Sequence, residues 1–460
     1  MQWLIIIYLI IFSAIAIKRI DWSLYFIIVL LPSYLIRFSF LGIPLTLLEC
    51  MILISFSVWF IKELPNLRNR LNKKEKKKNY PFYREIIALI LISFLALFVS
   101  GFSVSALGIW KAYFFEPVLF FILVVNLIQF DEVKRGVIIS LAVSTLLVAI
   151  AAIYQKISGD FIPNEYWAHV DTRRVISWFQ YPNAIGLYLA PIIPFLIASF
   201  YYLKKDFRNL YLKYLPLIAA FLGLISIIFA RSDGALVAVI FSTLLLFILI
   251  NKKTRAFSII ISIILIVLVS SIGTVRNKVV DRLSFQDLSG QIRLQQWQET
   301  MKTFSGSSIL LGNGLDNYQE SVAPYHQEGI FYNYDNLDNF DAVVWASSTL
   351  QKKYWQPVEI YLYPHNIFLN FWTELGLMGL ILFIWIFIKS FYQSIKLKIF
   401  FQKNSSKKMY LALGLLSAFS AILIHGLVDV PYFKNDLSLM FFLFLALLGV
   451  MMIERNDKEK

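Results

Sequence analysis

Long apolar runs separated by short polar segments recur along the whole chain. Such runs match the roughly 20 residues with which an α-helix crosses the hydrocarbon core of a bilayer. The pattern predicts about thirteen membrane spans, within a range of roughly 12–14, because the first three runs are short or interrupted by proline. Their expected positions, loose by several residues at each end, are 2–17, 23–41, 43–61, 85–104, 112–129, 136–154, 181–202, 214–230, 232–250, 256–274, 366–388, 409–428 and 437–453.

The composition agrees with an all-α, polytopic integral membrane protein. Hydrophobic residues make up 58% of the chain, and the mean hydropathy is +0.67. The single cysteine, Cys50, lies in an apolar run and can form no intramolecular disulfide. We expect no cleavable signal peptide, because the first apolar run lacks both a basic segment before it and a small-residue cleavage site.

Basic residues are concentrated in short segments between the predicted spans. The formal net charge is +14, but this distribution indicates membrane orientation and argues against a nucleic-acid partner. The strongly basic loop at 62–84 is expected to be cytoplasmic, with 71–80 as a solvated linker. Alternation then places the C-terminus inside, and the N-terminus outside if the number of spans is odd. The other basic segments that fall on the cytoplasmic side are Lys18-Arg19, Lys134-Arg135, Lys204-Lys205, Lys252-Lys253 and 389–408.

Two long segments, 155–180 and 275–364, are expected on the extracytoplasmic side. The second divides the chain into N-terminal spans at 1–274, a large loop carrying short helices at 275–364, and C-terminal spans at 365–460. The loop is rich in aromatic and amide residues, most clearly at 331–340. Aromatic faces stack on sugar rings and amides bond to hydroxyls, but an aromatic belt resting on the membrane explains this composition equally well.

His365 lies where the polar loop ends and an apolar run begins. Pro364 is a natural first-turn residue, which predicts that His365 lies at the mouth of a membrane helix. Imidazole exchanges protons near neutral pH, so His365 is a candidate general base. The alternative is an interfacial histidine that only hydrates its polar edge.

Arg231 is expected between two spans, close to the hydrocarbon boundary. A guanidinium at this depth needs an anionic partner, and its planar fork matches phosphate oxygens. The alternatives are a local pair with Asp233 or snorkelling to lipid headgroups.

Arg293 lies in a segment, 290–304, that is expected to form an amphipathic helix on the extracytoplasmic membrane surface. Its apolar stripe consists of Leu294, Trp297, Met301 and Phe304. Trp297 lies one turn from Arg293 and could brace its guanidinium. The alternative for Arg293 is an ordinary surface arginine.

Other polar motifs are weaker. Residues 311–315 indicate a turn, without the following Lys-Ser or Lys-Thr of a phosphate loop. Asp171, Arg173 and Arg174 fit a solvated loop better than the lining of an outer cavity. No spacing of histidine, cysteine and carboxylate predicts a metal site.

Several of these stretches resemble the O-antigen ligase family, which also includes oligosaccharide polymerases and protein O-oligosaccharyltransferases. The resemblance covers about 175–390 in the family's order, with the long loop in the expected place. One departure is Asp233, which follows the candidate arginine where many relatives carry small residues. The matching stretches are 179–183, 230–234, 293–297, 311–315, 364–366 and 374–379.

The resemblance implies transfer of a glycan from an undecaprenyl-diphosphate carrier to a glycan, lipid or protein acceptor, without a metal or another cofactor. Arg231 and Arg293 would bind the diphosphate, and His365 would deprotonate the acceptor hydroxyl. Asn183, Trp297, Asn366 and Glu374 are candidate supporting residues. The implied location is the bacterial cytoplasmic (inner) membrane, in lipopolysaccharide or other polysaccharide biosynthesis for the cell envelope, with the active site on the extracytoplasmic side.

Three alternatives remain. A polymerase transfers a growing chain onto another lipid-linked unit, and a protein O-oligosaccharyltransferase uses a protein acceptor. A polymerase would profit from a second cationic cluster, for which only Arg173, Arg174, Arg276 and Arg282 are available, so we favour the ligase. A lipid or sugar transporter ranks lower, because it would carry polar groups deep within its spans.

Overall fold

The computed structural model describes residues 2–40, 42–72, 80–128, 131–204 and 210–459, and about 78% of the protein is helical. This confirms the predicted all-α class. Most of the basic linker 71–80 and Lys205 lie outside the described residues. The helices are α1 (Gln2–Lys18), α2 (Ile20–Val29), α3 (Leu47–Asn72), α4 (Tyr83–Val99), α5 (Val104–Trp110), α6 (Glu116–Leu127), α7 (Asp131–Ser158), α8 (Glu165–Ala168), α9 (Pro182–Leu203), α10 (Leu210–Ala230), α11 (Asp233–Ile250), α12 (Lys252–Ser271), α13 (Gly273–Leu283), α14 (Leu288–Lys302), α15 (Ser308–Leu311), α16 (Tyr318–Val322), α17 (Phe340–Trp345), α18 (Ser348–Tyr354), α19 (Ile367–Asn404), α20 (Ser406–Gly426) and α21 (Asn435–Glu459).

Short irregular and extended elements connect these helices. Residues Lys111–Phe115 form a π-helical turn between α5 and α6, and 3₁₀ turns occur at Leu31–Leu35 and Ala323–Tyr325. Two small antiparallel pairs complete the fold: β1 with β2, and β3 with β4. The strands are β1 (Arg37–Phe40), β2 (Ile43–Thr46), β3 (Gly329–Phe331) and β4 (Trp355–Pro357).

Within the described ranges, nine helical stretches are long and apolar enough to cross a membrane. They are α5 continuing into α6, α7, α9, α10, α11, α12, α19, α20 and α21. From residue 104 onward they coincide with the predicted spans. The smaller number arises in the first hundred residues, where α1 and α2 are short apolar helices.

The predicted span at 23–41 is wrong. Helix α2 ends at Val29, a 3₁₀ turn containing Pro32 follows, and the chain then enters β1. Proline has no N–H to donate to the preceding turn, which favours ending a helix there. The predicted span at 43–61 likewise begins later, because 43–46 form β2 and α3 starts at Leu47.

The chain forms two compact units. The first comprises 1–91, 108–258 and 382–460, and α9 lies at its centre, packed on α7, α10, α11 and α20. Small residues allow close approach here: a Cβ added at Gly414 would lie 2.9 Å from that of Ala198. In a bilayer, where apolar side chains gain little by leaving lipid, such close packing holds helices together.

The second unit comprises 92–107 and 259–381 and contains the short helices α13–α18, as predicted for the long loop. Within this unit α19 is broken at Gly376, where φ is 71°. The backbone of Leu310 and Leu311 passes so close to Gly376 that a side chain would not fit. Next to it Asn313 donates its N–H to the carbonyl of Thr373 at 2.6 Å. The predicted turn at 311–315 therefore docks against the start of α19. The three-segment division 1–274, 275–364 and 365–460 stays a prediction.

Candidate active site

His365 lies two residues before α19, and Asn366 caps that helix. The Asn366 Oδ1 accepts hydrogen bonds from the N–H groups of Phe368 (3.0 Å) and Leu369 (3.1 Å), as an N-cap residue does. The expectation that Pro364 occupies the first turn is wrong, because the cap ends the loop two residues later. His365 nevertheless lies at the mouth of the helix, as predicted.

The backbone of His365 is in the left-handed region, with φ of 44°. This conformation is costly for a residue with a Cβ, and such strain is found preferentially at functional sites. Two rings flank the imidazole: Tyr361, edge-on at 5.0 Å between ring centroids, and Tyr363, at 4.9 Å. The surrounding structure therefore holds the ring in a defined place.

A hydrogen bond with Gln296 selects one form of the His365 ring. The two partners are His365 Nδ1 and Gln296 Oε1, 3.0 Å apart, and Gln296 is buried. With the amide oxygen assigned as acceptor, Nδ1 carries the proton, and the neutral ring keeps its lone pair on Nε2. Nε2 is then the atom able to accept a proton, as a general base requires.

Helix α14 brings Arg293, Gln296 and Trp297 to the same place. Trp297 donates its indole N–H to the carbonyl of Pro364 at 2.8 Å, directly before His365. Arg293 donates to Ser289 Oγ at 2.8 Å, and its charge acts on Tyr361. Burial raises the pKa of Tyr361 and Glu359 raises it further, whereas Arg293 lowers it. Arg293, Gln296, Trp297, Tyr361 and His365 are called the His365 cluster below.

The predicted helix at 290–304 is confirmed as α14, and its apolar stripe is divided between packed and exposed residues. Trp297 packs on Phe285 and Phe304 stacks on Trp372, at 5.3 and 4.3 Å between ring centroids. Leu294 and Met301 are exposed, whereas Gln296, Glu299 and Thr300 are buried. The buried polar side of α14 takes part in hydrogen bonds within the second unit. Glu299 accepts the Gln327 N–H at 2.8 Å, and its other oxygen lies 3.3 Å from His326 Nδ1. The exposed apolar side of α14 remains available to a membrane surface.

Arg231 lies between α10 and α11 and is also left-handed, with φ of 53°. Its exposed guanidinium donates one hydrogen bond, to the carbonyl of Asp171 at 3.1 Å. Within the described part of the chain Arg231 makes no ion pair with Asp233, so the local pair considered above is not formed. Four of its five N–H donors have no acceptor among the described residues.

Arg174 fixes the turn between α10 and α11 that contains Arg231. It donates to the carbonyl of Ala230 at 3.0 Å, to that of Arg231 at 3.4 Å and to Asn183 Oδ1 at 3.0 Å. Burial lowers the pKa of Arg174, the positive charge of Arg231 lowers it further, and Asp233 opposes both effects. Two like charges are thus held together, an arrangement that an anion would relieve.

Arg173, next to Arg174 in sequence, has a structural role. It donates to the carbonyls of Lys156 (3.0 Å) and Ile157 (3.2 Å) in the last turn of α7, and to Ala168 at 3.1 Å. These contacts satisfy carbonyls that a helix end leaves unpaired. The solvated loop expected at 171–174 is therefore wrong for both arginines, because their side chains bind backbone carbonyls.

Glu374 contacts the docked turn. Its Oε2 accepts the N–H of Asp316 at 3.0 Å, and the side chain is buried. Within the described residues, no group of three or more histidine, cysteine, aspartate or glutamate side chains could hold a metal ion.

The structure thus groups the predicted residues in two places. Arg293, Trp297 and His365 lie together in the second unit, whereas Arg231 and Asn183 lie together in the first. Sequence reasoning missed Gln296 and the positioning role of Arg174. Gln296 was detectable, because it lies three residues after Arg293 on the same face of a helix. The role of Arg174 depends on a fold in which it reaches residues 56–57 positions away, so no local signal could have identified it.

Residues 218–384 match the family model for O-Antigen ligase. The matched region runs from α10 to α19 and includes every predicted site residue except Asn183. No curated protein matches the chain.

Proposed function

We propose that this chain, whose residues 218–384 match the O-antigen ligase family model in agreement with the resemblance, is a ligase moving a glycan from an undecaprenyl-diphosphate carrier to an acceptor hydroxyl. The family itself indicates a membrane glycosyltransferase of the ligase or polymerase kind. The observation that carries the proposed chemistry is the His365 cluster: an imidazole whose Nδ1 faces Gln296, beside Arg293.

In the proposed reaction the acceptor oxygen attacks the anomeric carbon, and a new carbon–oxygen bond forms there. The bond from that carbon to the diphosphate oxygen breaks, and undecaprenyl diphosphate leaves. The acceptor's proton passes to Nε2 of His365. Direct displacement of this kind inverts the anomeric configuration.

Arg231 and Arg293 are proposed to bind the diphosphate. Its negative charge grows as the glycosidic bond breaks, and fixed guanidinium donors stabilise that growth more than they stabilise the ground state. The unfilled donors of Arg231 and the pair of like charges at Arg174 and Arg231 support this role. No metal or other cofactor is needed in this scheme, and that independence stays a prediction.

The supporting residues receive different proposed tasks. Trp297 fixes the loop carbonyl before His365, and Asn366 fixes the helix start after it. Asn183 holds Arg174 against the Arg231 turn, whereas Glu374 fastens the turn that docks on α19. All four act by positioning and not by touching the reacting atoms.

The aromatic segment at 331–340 is proposed to contact the glycan. Phe331 packs between Trp345 at 5.5 Å and Trp355 at 5.1 Å, and both tryptophans remain exposed. Exposed, rigidly backed indoles offer the flat faces on which sugar rings stack. The alternative, already given for this segment in the sequence analysis, is that the same rings contact the membrane surface.

The active site is proposed to face the extracytoplasmic side of a bacterial inner membrane. In a Cys50→Ser background, cysteine at Asn336 in the long loop should react with a membrane-impermeant thiol reagent in intact cells. Cysteine at Lys396, near the end of α19, should react only after permeabilisation, because the positive-inside rule places that end in the cytoplasm. The opposite labelling pattern would contradict the proposed orientation.

Deletion of the gene in its native host should distinguish the ligase from the polymerase. Loss of a ligase leaves full-length glycan on its undecaprenyl carrier, because chain growth does not depend on it. Loss of a polymerase instead leaves single repeat units, some of them transferred to the final acceptor. Analysis of the lipid-linked glycans reads out the difference.

In a purified assay, a chelator should leave the wild-type rate unchanged, and a requirement for added divalent ion would contradict the arginine-based scheme.

A further inference from the structure

Lys156 lies in the last turn of α7 and has no part in the reaction proposed above. Lys134 and Arg135, near the start of the same helix, follow the positive-inside rule, whereas Lys156 lies at the end proposed to be extracytoplasmic. A lysine at that end does not serve orientation. A cation in a last turn can bind the unpaired carbonyls of its own helix, so its contacts decide whether it does more.

The ammonium of Lys156 contacts the neighbourhood of Arg231. The carbonyls in the last turn of α7 are already bound by Arg173, at 3.0 and 3.2 Å. Among the described residues, the acceptor for the Lys156 ammonium is the carbonyl of Arg173, at 3.3 Å, directly before Arg174. The ammonium also lies 5.7 Å from the ring centroid of Phe229, two residues before Arg231. Lys156 therefore touches the end of α10 and the segment that fixes the turn after it.

Lys156 has no anionic partner among the described residues. The two charges that act on its ammonium are those of Arg231 and Arg173, and both are positive. Asp233, on the other side of the Arg231 turn, acts on Arg174 instead. Like charges held together close to the hydrocarbon boundary carry a cost that a bound anion would remove.

Lys156 and Arg231 also share unfilled hydrogen-bond donors. Two of the three N–H donors of Lys156 have no acceptor among the described residues, as is the case for four of the five in Arg231. Arg231 binds the carbonyl of Asp171 and not its carboxylate, which lies 3.6 Å from Nδ1 of His169. Both cations can thus donate to a ligand without giving up an ion pair.

The base of Lys156 is held rigidly by its neighbour Gln155, which is buried. The Gln155 Oε1 accepts the N–H groups of Ile176 (2.9 Å) and Ser177 (2.7 Å). Its Nε2 donates to the carbonyls of Phe161 (3.1 Å) and Ser177 (2.9 Å). The amide uses both of its donors and accepts twice, so the last turn of α7 is fixed to the segment before α9. A cation on a fixed turn loses less freedom when it binds a ligand.

We infer that Lys156 is a further ligand of the donor's diphosphate: its ammonium binds one phosphate group while Arg231 binds the other. This role presupposes the proposed function, in which Arg231 binds the same diphosphate. An ammonium is a compact charge with three donors, which suits a phosphate that offers several oxygens. A carrier with a single phosphate lacks the second contact. Lys156 therefore contributes to the preference for a diphosphate carrier over a monophosphate carrier.

Binding of two carriers to the full chain in detergent tests this role. The carriers are undecaprenyl diphosphate and undecaprenyl monophosphate, both without glycan, and their dissociation constants are measured by microscale thermophoresis. Lys156→Met keeps an apolar chain beside Phe229 and removes the charge. It should weaken binding of the diphosphate about tenfold, the effect of losing one charge-assisted contact, and leave binding of the monophosphate nearly unchanged.

Matched variants separate a ligand from a structural lysine. Lys213→Met is the control, because Lys213 also lies over a ring, that of Tyr214 at 5.3 Å, but near the other end of α10. It should leave both dissociation constants unchanged. Lys156→Arg keeps the charge and should retain most of the affinity for the diphosphate. Excess phosphatidylglycerol should not displace the diphosphate from wild-type protein, since an ordinary lipid offers one phosphate.

Three results would overturn the inference. If Lys156→Met keeps the wild-type preference for the diphosphate, Lys156 is not a ligand, and the proposed function is unaffected. If Lys156→Met weakens both carriers equally and lowers thermal stability, Lys156 only supports the end of α7. If wild-type protein shows no preference for the diphosphate, or releases it to phosphatidylglycerol, the proposed diphosphate site fails as well.

Discussion

Replacing His365 with glycine should lower the rate of glycan transfer by about two to four orders of magnitude, the usual cost of losing a general base. Glycine is the informative substitution, because φ at this position is 44° and only glycine adopts that conformation without strain. The backbone turn into α19 should therefore persist, and the amount of protein in the membrane should stay near normal. The rate is measured with purified enzyme and a lipid-linked donor.

Added imidazole should restore part of the activity of His365→Gly, because the vacated space lies between Tyr361 and Tyr363 and beside Gln296. His365→Ala should be equally inactive but less stable than the glycine variant, since alanine keeps the backbone strain. His326→Gln is the control for loss of an imidazole from the same unit, and its rate should stay close to wild type. Wild-type turnover by His365→Gly would refute the assignment of the base.

The spans after residue 104 were predictable because their apolar runs are long and their ends carry charge. In the first hundred residues the same reasoning failed, since hydropathy alone cannot distinguish a membrane helix from the apolar hairpin formed by β1 and β2. There the decisive information was a single residue, Pro32, whose effect on the end of α2 is local and steric. Hydropathy identified the apolar segments, whereas local backbone constraints determined which of them form helices.

The sequence singles out candidate site residues one by one, but it does not predict how they are arranged. Arg231, Arg293 and His365 stood out because charged or ionisable groups at the ends of apolar runs need a reason to be there. Two of their immediate partners did not stand out, because Tyr361 and Arg174 are ordinary residues until the fold places them in contact. The buried polar face of α14 was not predicted for a related reason: the second unit buries hydrogen-bonded polar groups such as Gln296 and Glu299, and an apolar stripe does not reveal such a face.

Replacing Arg231 with alanine should lower kcat/KM by about two to three orders of magnitude, comparable with removal of a donor that stabilises developing charge. Arg231→Lys should recover only part of this loss, because an ammonium keeps the charge but lacks the two-pronged fork that fits diphosphate oxygens. Arg174→Ala should cost less, about tenfold, since Arg174 acts by holding the carbonyls of Ala230 and Arg231. Steady-state kinetics over a range of donor concentrations measures all three.

The pair of arginines permits a stricter test through a double-mutant cycle. If Arg174 works only by positioning Arg231, then adding Arg174→Ala to Arg231→Ala should cause little further loss. Arg173→Gln is the matched control: this neighbouring arginine binds carbonyls at the end of α7, so the change should lower thermal stability and leave kcat nearly unchanged. Fully additive losses would show that Arg174 contacts the donor directly. Undiminished kcat/KM in Arg231→Ala would remove this turn from the diphosphate site altogether, whatever the effect of the base at His365.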